Sequence, residues 1–438
     1  MKKKVRRIFI GPHEIAGYYA ALSEGFRMNG VECDYILYED HPFRHNYTQK
    51  RLLSRTIQLL RRKRKSCRSF ALIVLLKLTI GLLQFLLLII AIFRYDTFIL
   101  SFGVTLFPKI DLPLLRLFGK NIIVNLGHGS EARPSFIDGG YQSKDGDYPH
   151  LSKIYSYNIR NYKNVQRCFK YAHFIIGSPF STSQFAPSRF INWFALGIPA
   201  IIPEVDSVSL EKKKESQCIH ILHSPSHPPA KGTPIIMNAI DHLKRRGHNI
   251  QFVMLQGVPH QRVIEEIKRC DFVVDQVYCD TPMAGFATEA ACYGKPAIVG
   301  GYRLDYLRQF VPRDMWPPSK ICHPDQIERA IEELIVDAKQ RRQLGFDAYM
   351  FVRTKWNAAE VARRYIRLIE GDIPDDWWVN PRDIIYLEGI GQPIERTKQI
   401  IRDLVQQYGV EALQLSHRPD LCAAFLEFAG INHGQEVF

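Results

Sequence analysis

Three residues in this chain of 438 have types and surroundings suited to a phosphorylated ligand: Lys231, Glu289 and His128. Glu289 lies in FVVDQVYCDTPMAGFATEAACYGKP, Phe272–Pro296. There an apolar run reads as a buried strand ending at Asp275. A loop bearing Gly285 then opens a helix carrying Phe286 and Glu289, and Gly294-Lys295-Pro296 closes it before another strand. A helix starting at the C-terminal edge of a parallel sheet offers free N–H groups and its positive dipole end to an anion. A carboxylate in its first turns can accept hydrogen bonds from a ribose diol, or it can be an ordinary first-turn acid. Lys231 sits in SPSHPPAKGT, Ser224–Thr233, just before a helix start. It can meet a phosphate there, or be a solvated turn lysine. His128 stands in Gly127-His128-Gly129 at a strand end. A lone histidine is usually structural, but this one is placed to face a cleft.

The elements that must position these residues alternate. Val5–Ile10 reads as a strand, followed by a loop flanked by Gly11 and Gly17, an amphipathic helix ending at Gly30, and a second strand at Val31–Leu37. That is the opening of a βαβ unit. Strands at Thr97–Leu100, Asn121–Leu126 and Phe174–Ile176 continue it, with GHGSEARP following the second of these. Polar residues 203–217 read as a linker. The alternation then restarts with strands at Ile219–Leu222, Ile250–Leu255, Phe272–Val274 and Ala297–Val299, closed by helices at Asp325–Gln343 and Ala348–Glu370. Residues 371–438 read as a helical tail of no legible function. The expected architecture is α/β, with two Rossmann-like domains at 1–203 and 204–370 and a helical extension at 371–438.

The net charge is +14. Residues 1–69 hold 16 Lys/Arg against 6 Asp/Glu, which points to an anionic surface near this part of the chain. Nucleic acid is set aside, because the basic run abuts an apolar helix and lacks interleaved aromatics for stacking. Composition excludes a disordered, collagen-like or coiled-coil chain. The nine cysteines are odd in number and form no CxxC, so neither disulfides nor zinc is expected and a reducing, cytoplasmic setting is. His220, His223 and His227 do not make a metal site, because an odd separation puts His220 and His223 on opposite faces of a strand. The basic N-terminus leads into a strand and loop and is not read as a signal peptide.

Phe70–Phe93 (FALIVLLKLTIGLLQFLLLIIAIF) has one charge, Lys77, and follows six basic residues within Arg61–Arg68. By length it could span a bilayer. Spanning would split the first βαβ domain, so the helix is expected either to be buried or, preferably, to lie in a membrane interface with Arg61–Arg68 on lipid headgroups. Lys77, Gly81, Gln84 and Ala91 share one helical stripe and leave the rest strongly apolar.

Taken together, HILHSPSHPPAKGTPIIMNAI, FVVDQ and MAGFATEAACYGKPAIVGG, in that order and spacing, resemble the retaining glycosyltransferases of the GT-B fold, group 1 class. The resemblance covers roughly residues 5–370. It implies two Rossmann-like domains facing across a cleft, with a nucleotide-sugar donor held mainly by the second. It implies that Glu289 binds the donor ribose and that Lys231 neutralises the diphosphate. Gly285 and Phe286 present backbone N–H groups, His128 lies beside the donor sugar, and Gly17 belongs to a loop closing over the diphosphate. Asp275 joins the donor site. The chain departs from the family at Thr281, where a glutamate is usual and Asp280 stands next to it. It departs again at Ser226, beside His227, where an arginine is usual. The reaction implied is metal-independent glycosyl transfer with retention and no cofactor, the nucleotide-sugar being a substrate. With the apolar helix at a membrane, the expected acceptor is a glycan, lipid-linked or membrane-proximal, and the expected setting is cytoplasmic with peripheral membrane association. A sugar-nucleotide epimerase and a non-catalytic GT-B subunit are the alternatives.

Overall fold

The computed structural model describes residues 7–39, 52–107, 109–204 and 218–431. Two sheets organise them. The first holds β1 (Ile8–Gly11), β2 (Cys33–Tyr35), β3 (Thr97–Ser101), β4 (Asn121–Leu126), β5 (Phe174–Gly177), β6 (Phe190–Asn192) and, from far along the chain, β12 (Trp378–Val379). Its order is β12-β6-β5-β4-β3-β1-β2, and every pairing is parallel except β12 on β6. The second holds β7 (Ile219–His223), β8 (Ile250–Met254), β9 (Phe272–Gln276), β10 (Ala297–Gly300) and β11 (Lys320–Cys322) in the parallel order β11-β10-β9-β7-β8. Parallel strands are covered by helices on both faces, which is why their sequences are apolar runs rather than alternating ones. Ile8–Ile10, Phe98–Leu100 and Phe272–Val274 are all essentially without solvent exposure. The expected pair of α/β lobes across a cleft is what the chain forms.

Local expectations shift where tertiary contacts intervene. The second strand pairs over Cys33–Tyr35 only, and Ile36 and Leu37 pass buried into a loop. The single helix expected over 325–343 is two, Ile327–Val336 and Ala338–Phe351, because Asp337 caps the second by accepting from Gln340 N at 2.8 Å. A π-helical turn, Val352–Trp356, separates it from helix Ala358–Glu370. The expected linker lies mostly in 205–217, outside the described residues.

Helix Ala358–Glu370 crosses back to the first lobe, against helix Tyr18–Met28. Tyr18 and Tyr365 share a hydroxyl hydrogen bond of 3.0 Å, and Asn29 Nδ2 donates to Ala359 O at 2.9 Å. A side chain at Gly25 would meet Ala358 O at 2.0 Å, so this close packing needs glycine. Residues 371–431 are more than a helical tail. They add β12 to the first sheet and then bridge the lobes, Gly139 N donating to Ile390 O and Gly391 N to Tyr278 O, each at 2.8 Å. Helices Ile394–Tyr408 and Pro419–Phe428 follow.

Helix Phe70–Arg94 packs by one face, with Leu76, Ile80, Leu87 and Leu88 buried. The stripe of Lys77, Gly81, Gln84 and Ala91 divides: Gln84 and Ala91 are buried against the domain, and Lys77 is exposed.

Candidate active site

Two adjoining cavities of about 380 and 600 Å³ occupy the cleft. Ala16, Ser226, Lys231, Ala284 and Gly285 line both. The smaller lies between the lobes, walled by His128, Arg133 and Trp193 on one side, by Gln276 and Thr281 on the other, and by Ile390 and Gly391. The larger belongs mainly to the second lobe and carries His260, Asp275, Phe286 and Glu289. Thus Lys231 stands where the cavities meet, Glu289 in one and His128 in the other.

Lys231 is set by its neighbours. Gly232 takes a left-handed φ of +72°, closing the short helix Pro228–Lys231, and a Cβ there would stand 2.6 Å from Val277. Lys231 O accepts from Val277 N at 3.0 Å, pinning the lysine to the end of β9. Its ammonium donates to Gln276 Oε1 at 2.6 Å. Beside it, Asp275 is 3% exposed, and its Oδ2 has no hydrogen-bond partner among the described residues. Burial pushes the Asp275 carboxyl up, Lys231 opposes this, and Glu289 adds to it. A buried carboxylate oxygen on a cavity wall without a donor is costly unless a ligand hydroxyl or a proton meets it.

Glu289 Oε1 takes a hydrogen bond from His260 Nε2 at 2.8 Å. That bond raises the His260 pKa, burial opposing it. Phe286 lines the same cavity, and Gly285 abuts the first lobe, where its Cβ would lie 3.6 Å from Ala16.

His128 reaches the smaller cavity from the end of β4. Its Nε2 lies 2.8 Å from Tyr19 Oη, and its backbone N–H donates to Glu131 Oε1 at 2.8 Å. Burial and then the neighbouring His13 push its pKa down to about 3, so the ring is neutral and a poor proton acceptor. Burial carries Glu131 up to about 7. The first loop enters at Ala16 (φ 48°) rather than at Gly17, which caps helix Tyr18–Met28 with φ +80° and does not itself line either cavity. Ser226 lines both cavities. Thr281 lines the smaller one, its hydroxyl turned to Met283 O at 3.3 Å.

Sequence reasoning missed an ion-pair network between the lobes. Arg133 Nη2 donates to Asp280 Oδ2 at 3.1 Å, Nη1 to Asp138 Oδ1 at 3.4 Å and Nε to Ser181 Oγ at 3.0 Å. Ser181 Oγ also donates to Asp280, at 2.6 Å. Arg133 belongs to GHGSEARP and Asp280 to the Phe272–Pro296 stretch, but no spacing rule joins residues 147 positions apart. His260 was equally invisible, since only folding brings the start of helix His260–Arg269 to Glu289. The three histidines weighed as a metal set go separate ways. His220 pairs with Glu266 at 3.0 Å. His223 is held at both ring nitrogens by Val274 O and Thr233. His227 caps helix Pro228–Lys231 and donates to Gln142 O at 3.0 Å. Among the described residues no three His, Cys, Asp or Glu converge as a metal set.

No family model and no curated protein matches the chain. Solved structures do resemble it. Anabaena HepE in complex with UDP-glucose aligns with a TM-score of 0.44 and 11% identity, over 83% of this chain and 99% of that one. The S. aureus MnaA–UDP co-structure aligns at 0.40 and 10%, over 84% and 96%. The spinosyn rhamnosyltransferase SpnG aligns at 0.38 and 11%, over 84% and 100%. At these values the likeness concerns chain layout and carries no argument about activity.

Proposed function

We propose that this protein is a GT-B glycosyltransferase that moves a sugar from a nucleotide donor to a glycan acceptor with retention of configuration, without a metal or cofactor. One observation carries the reading: Lys231 stands at the junction of two adjoining cavities, with the Glu289 carboxylate in one and His128 in the other. In this reading the nucleoside occupies the larger cavity, its ribose on Glu289. The diphosphate lies at Lys231 with the Gly285–Phe286 backbone, and the sugar extends past Ser226 and Thr281 toward His128. Asp275 Oδ2 awaits a donor hydroxyl.

The acceptor oxygen bonds the anomeric carbon while the bond from that carbon to the diphosphate oxygen breaks, its electron pair leaving with the diphosphate. The acceptor's proton passes to the departing diphosphate on the same face. Lys231 stabilises the charge that develops there, and a fixed cation in a partly dehydrated cleft does so better than water. Neutral His128 suits a hydrogen-bonding role beside the sugar better than that of a base. The acceptor is lipid-linked or membrane-proximal, met at an anionic membrane surface on the cytoplasmic side.

A panel of nucleotide-sugars, screened by thermal shift and by turnover with and without glycan acceptors, tests this. One donor should stabilise the protein, and Glu289→Ala or Lys231→Ala should abolish the response. Donor conversion without any acceptor identifies an epimerase instead. Failure of Glu289→Ala to change donor binding identifies a non-catalytic subunit.

A further inference from the structure

We propose that the exposed stripe of helix Phe70–Arg94 and the end of helix Asp111–Leu117 together form one docking face for an anionic lipid bilayer, on which the protein lies flat without crossing. The first helix is apolar on both sides. One side packs on the domain, and the other exposes Leu75, Leu78, Leu82, Leu86, Ile90 and Phe93 at intervals of three and four residues. A soluble surface rarely carries so long an apolar row unless something covers it. The row does not end with the helix. The Phe93 ring meets that of Phe118 at 6.1 Å, and Phe118 and its neighbour Leu117 are themselves exposed, Leu117 at 79%.

Charge decides what covers this face. Residues 52–95 contain no Asp or Glu. Arg61 and Lys65, expected on lipid, both turn to Glu39, at 2.9 and 2.7 Å. Lys63, Arg64 and Arg68 have no acidic partner among the described residues, and Arg116 and Lys120 stand at the opposite end of the face. Cations at both ends of an apolar row match anionic headgroups around a shallowly inserted helix. The fold excludes crossing. The chain before this helix supplies β1 and β2 and the chain after it supplies β3, and β1 pairs with both, so both flanks stay on one side. The helix of 25 residues, roughly 37 Å long, therefore lies along the surface. This deepens the membrane-proximal part of the proposed function, and donor binding in solution checks the transferase reading separately.

Co-sedimentation of the full chain with phosphatidylcholine vesicles, with and without phosphatidylglycerol, tests the face. Binding should require the anionic lipid and weaken with salt. Leu78→Glu/Leu82→Glu and, separately, Leu117→Glu/Phe118→Glu should each cut partitioning roughly tenfold or more, with nucleotide-sugar binding in solution unchanged. Undiminished partitioning of the first variant overturns the face, and of the second overturns the share of helix Asp111–Leu117. Tryptophan introduced in turn as Leu75→Trp, Leu82→Trp and Ile90→Trp should show equal added quenching by brominated lipid, and a steep gradient overturns the flat placement. A wild-type dimer that Leu78→Glu/Leu82→Glu dissociates, without vesicle binding, assigns the face to a second copy and overturns the proposal.

Discussion

His260 Nε2 lies 2.8 Å from Glu289 Oε1, so the carboxylate at the heart of the larger cavity is oriented by a residue from a different helix. One oxygen is engaged, and in the proposed reading the other meets the donor ribose. Replacing Glu289 by alanine should remove donor binding. His260→Gln should raise KM for the donor severalfold while changing kcat little, as expected of a residue acting through another. Isothermal titration and steady-state kinetics check both.

The same pair carries a pH dependence of known sign. The folded-state pKa of His260 is raised above 6.5 by Glu289, so its stabilisation is fully present below that unfolded value and is lost as pH rises through the folded one. The stability difference between wild type and His260→Gln should therefore be larger at pH 6 than at pH 9. Thermal unfolding of both at the two pH values measures it.

Asp275 predicts the opposite trade. Burial raises its folded pKa above 3.8, so its charge opposes folding above that value, and the opposition is complete once pH exceeds the folded pKa. Asp275→Asn should be at least as stable as wild type at pH 7 and lose that advantage in acid, while binding donor more weakly. A more stable variant with unchanged donor affinity would remove Asp275 from the site.

Lys231 is the residue asked to carry leaving-group charge. Lys231→Ala should lower kcat by roughly a hundredfold to a thousandfold, the scale for loss of one preorganised stabilising group. Gln276→Ala, which only frees the ammonium from its 2.6 Å contact, should cost far less. Single-turnover kinetics with the identified donor separates the two.

Arg133 and Asp280 join the lobes through a buried ion pair, the side chains 8% and 14% exposed. Arg133→Ala leaves Asp280 and Asp138 facing each other without their cation, and should destabilise the protein by about 3–5 kcal/mol. Denaturant unfolding followed by tryptophan fluorescence tests this, and a loss under about 1 kcal/mol would mean that water replaces the guanidinium.

Local pattern in the sequence determined most of the strands, because apolar runs such as Phe272–Val274 and Ile122–Val124 belong only in the interior of a doubly covered sheet. It likewise placed Lys231 just before a helix start, whereas the left-handed turn at Gly232, packed on Val277, belongs to the fold. Only the tertiary structure decided which distant residues meet. The fold brings His260 to Glu289, Arg133 to Asp280 and the 390–391 segment into the cleft, and none of these pairings leaves a periodicity or spacing to read. The apolar helix divides the same way: its composition was legible at once, but which stripe faces the domain depended on the surface it packs against.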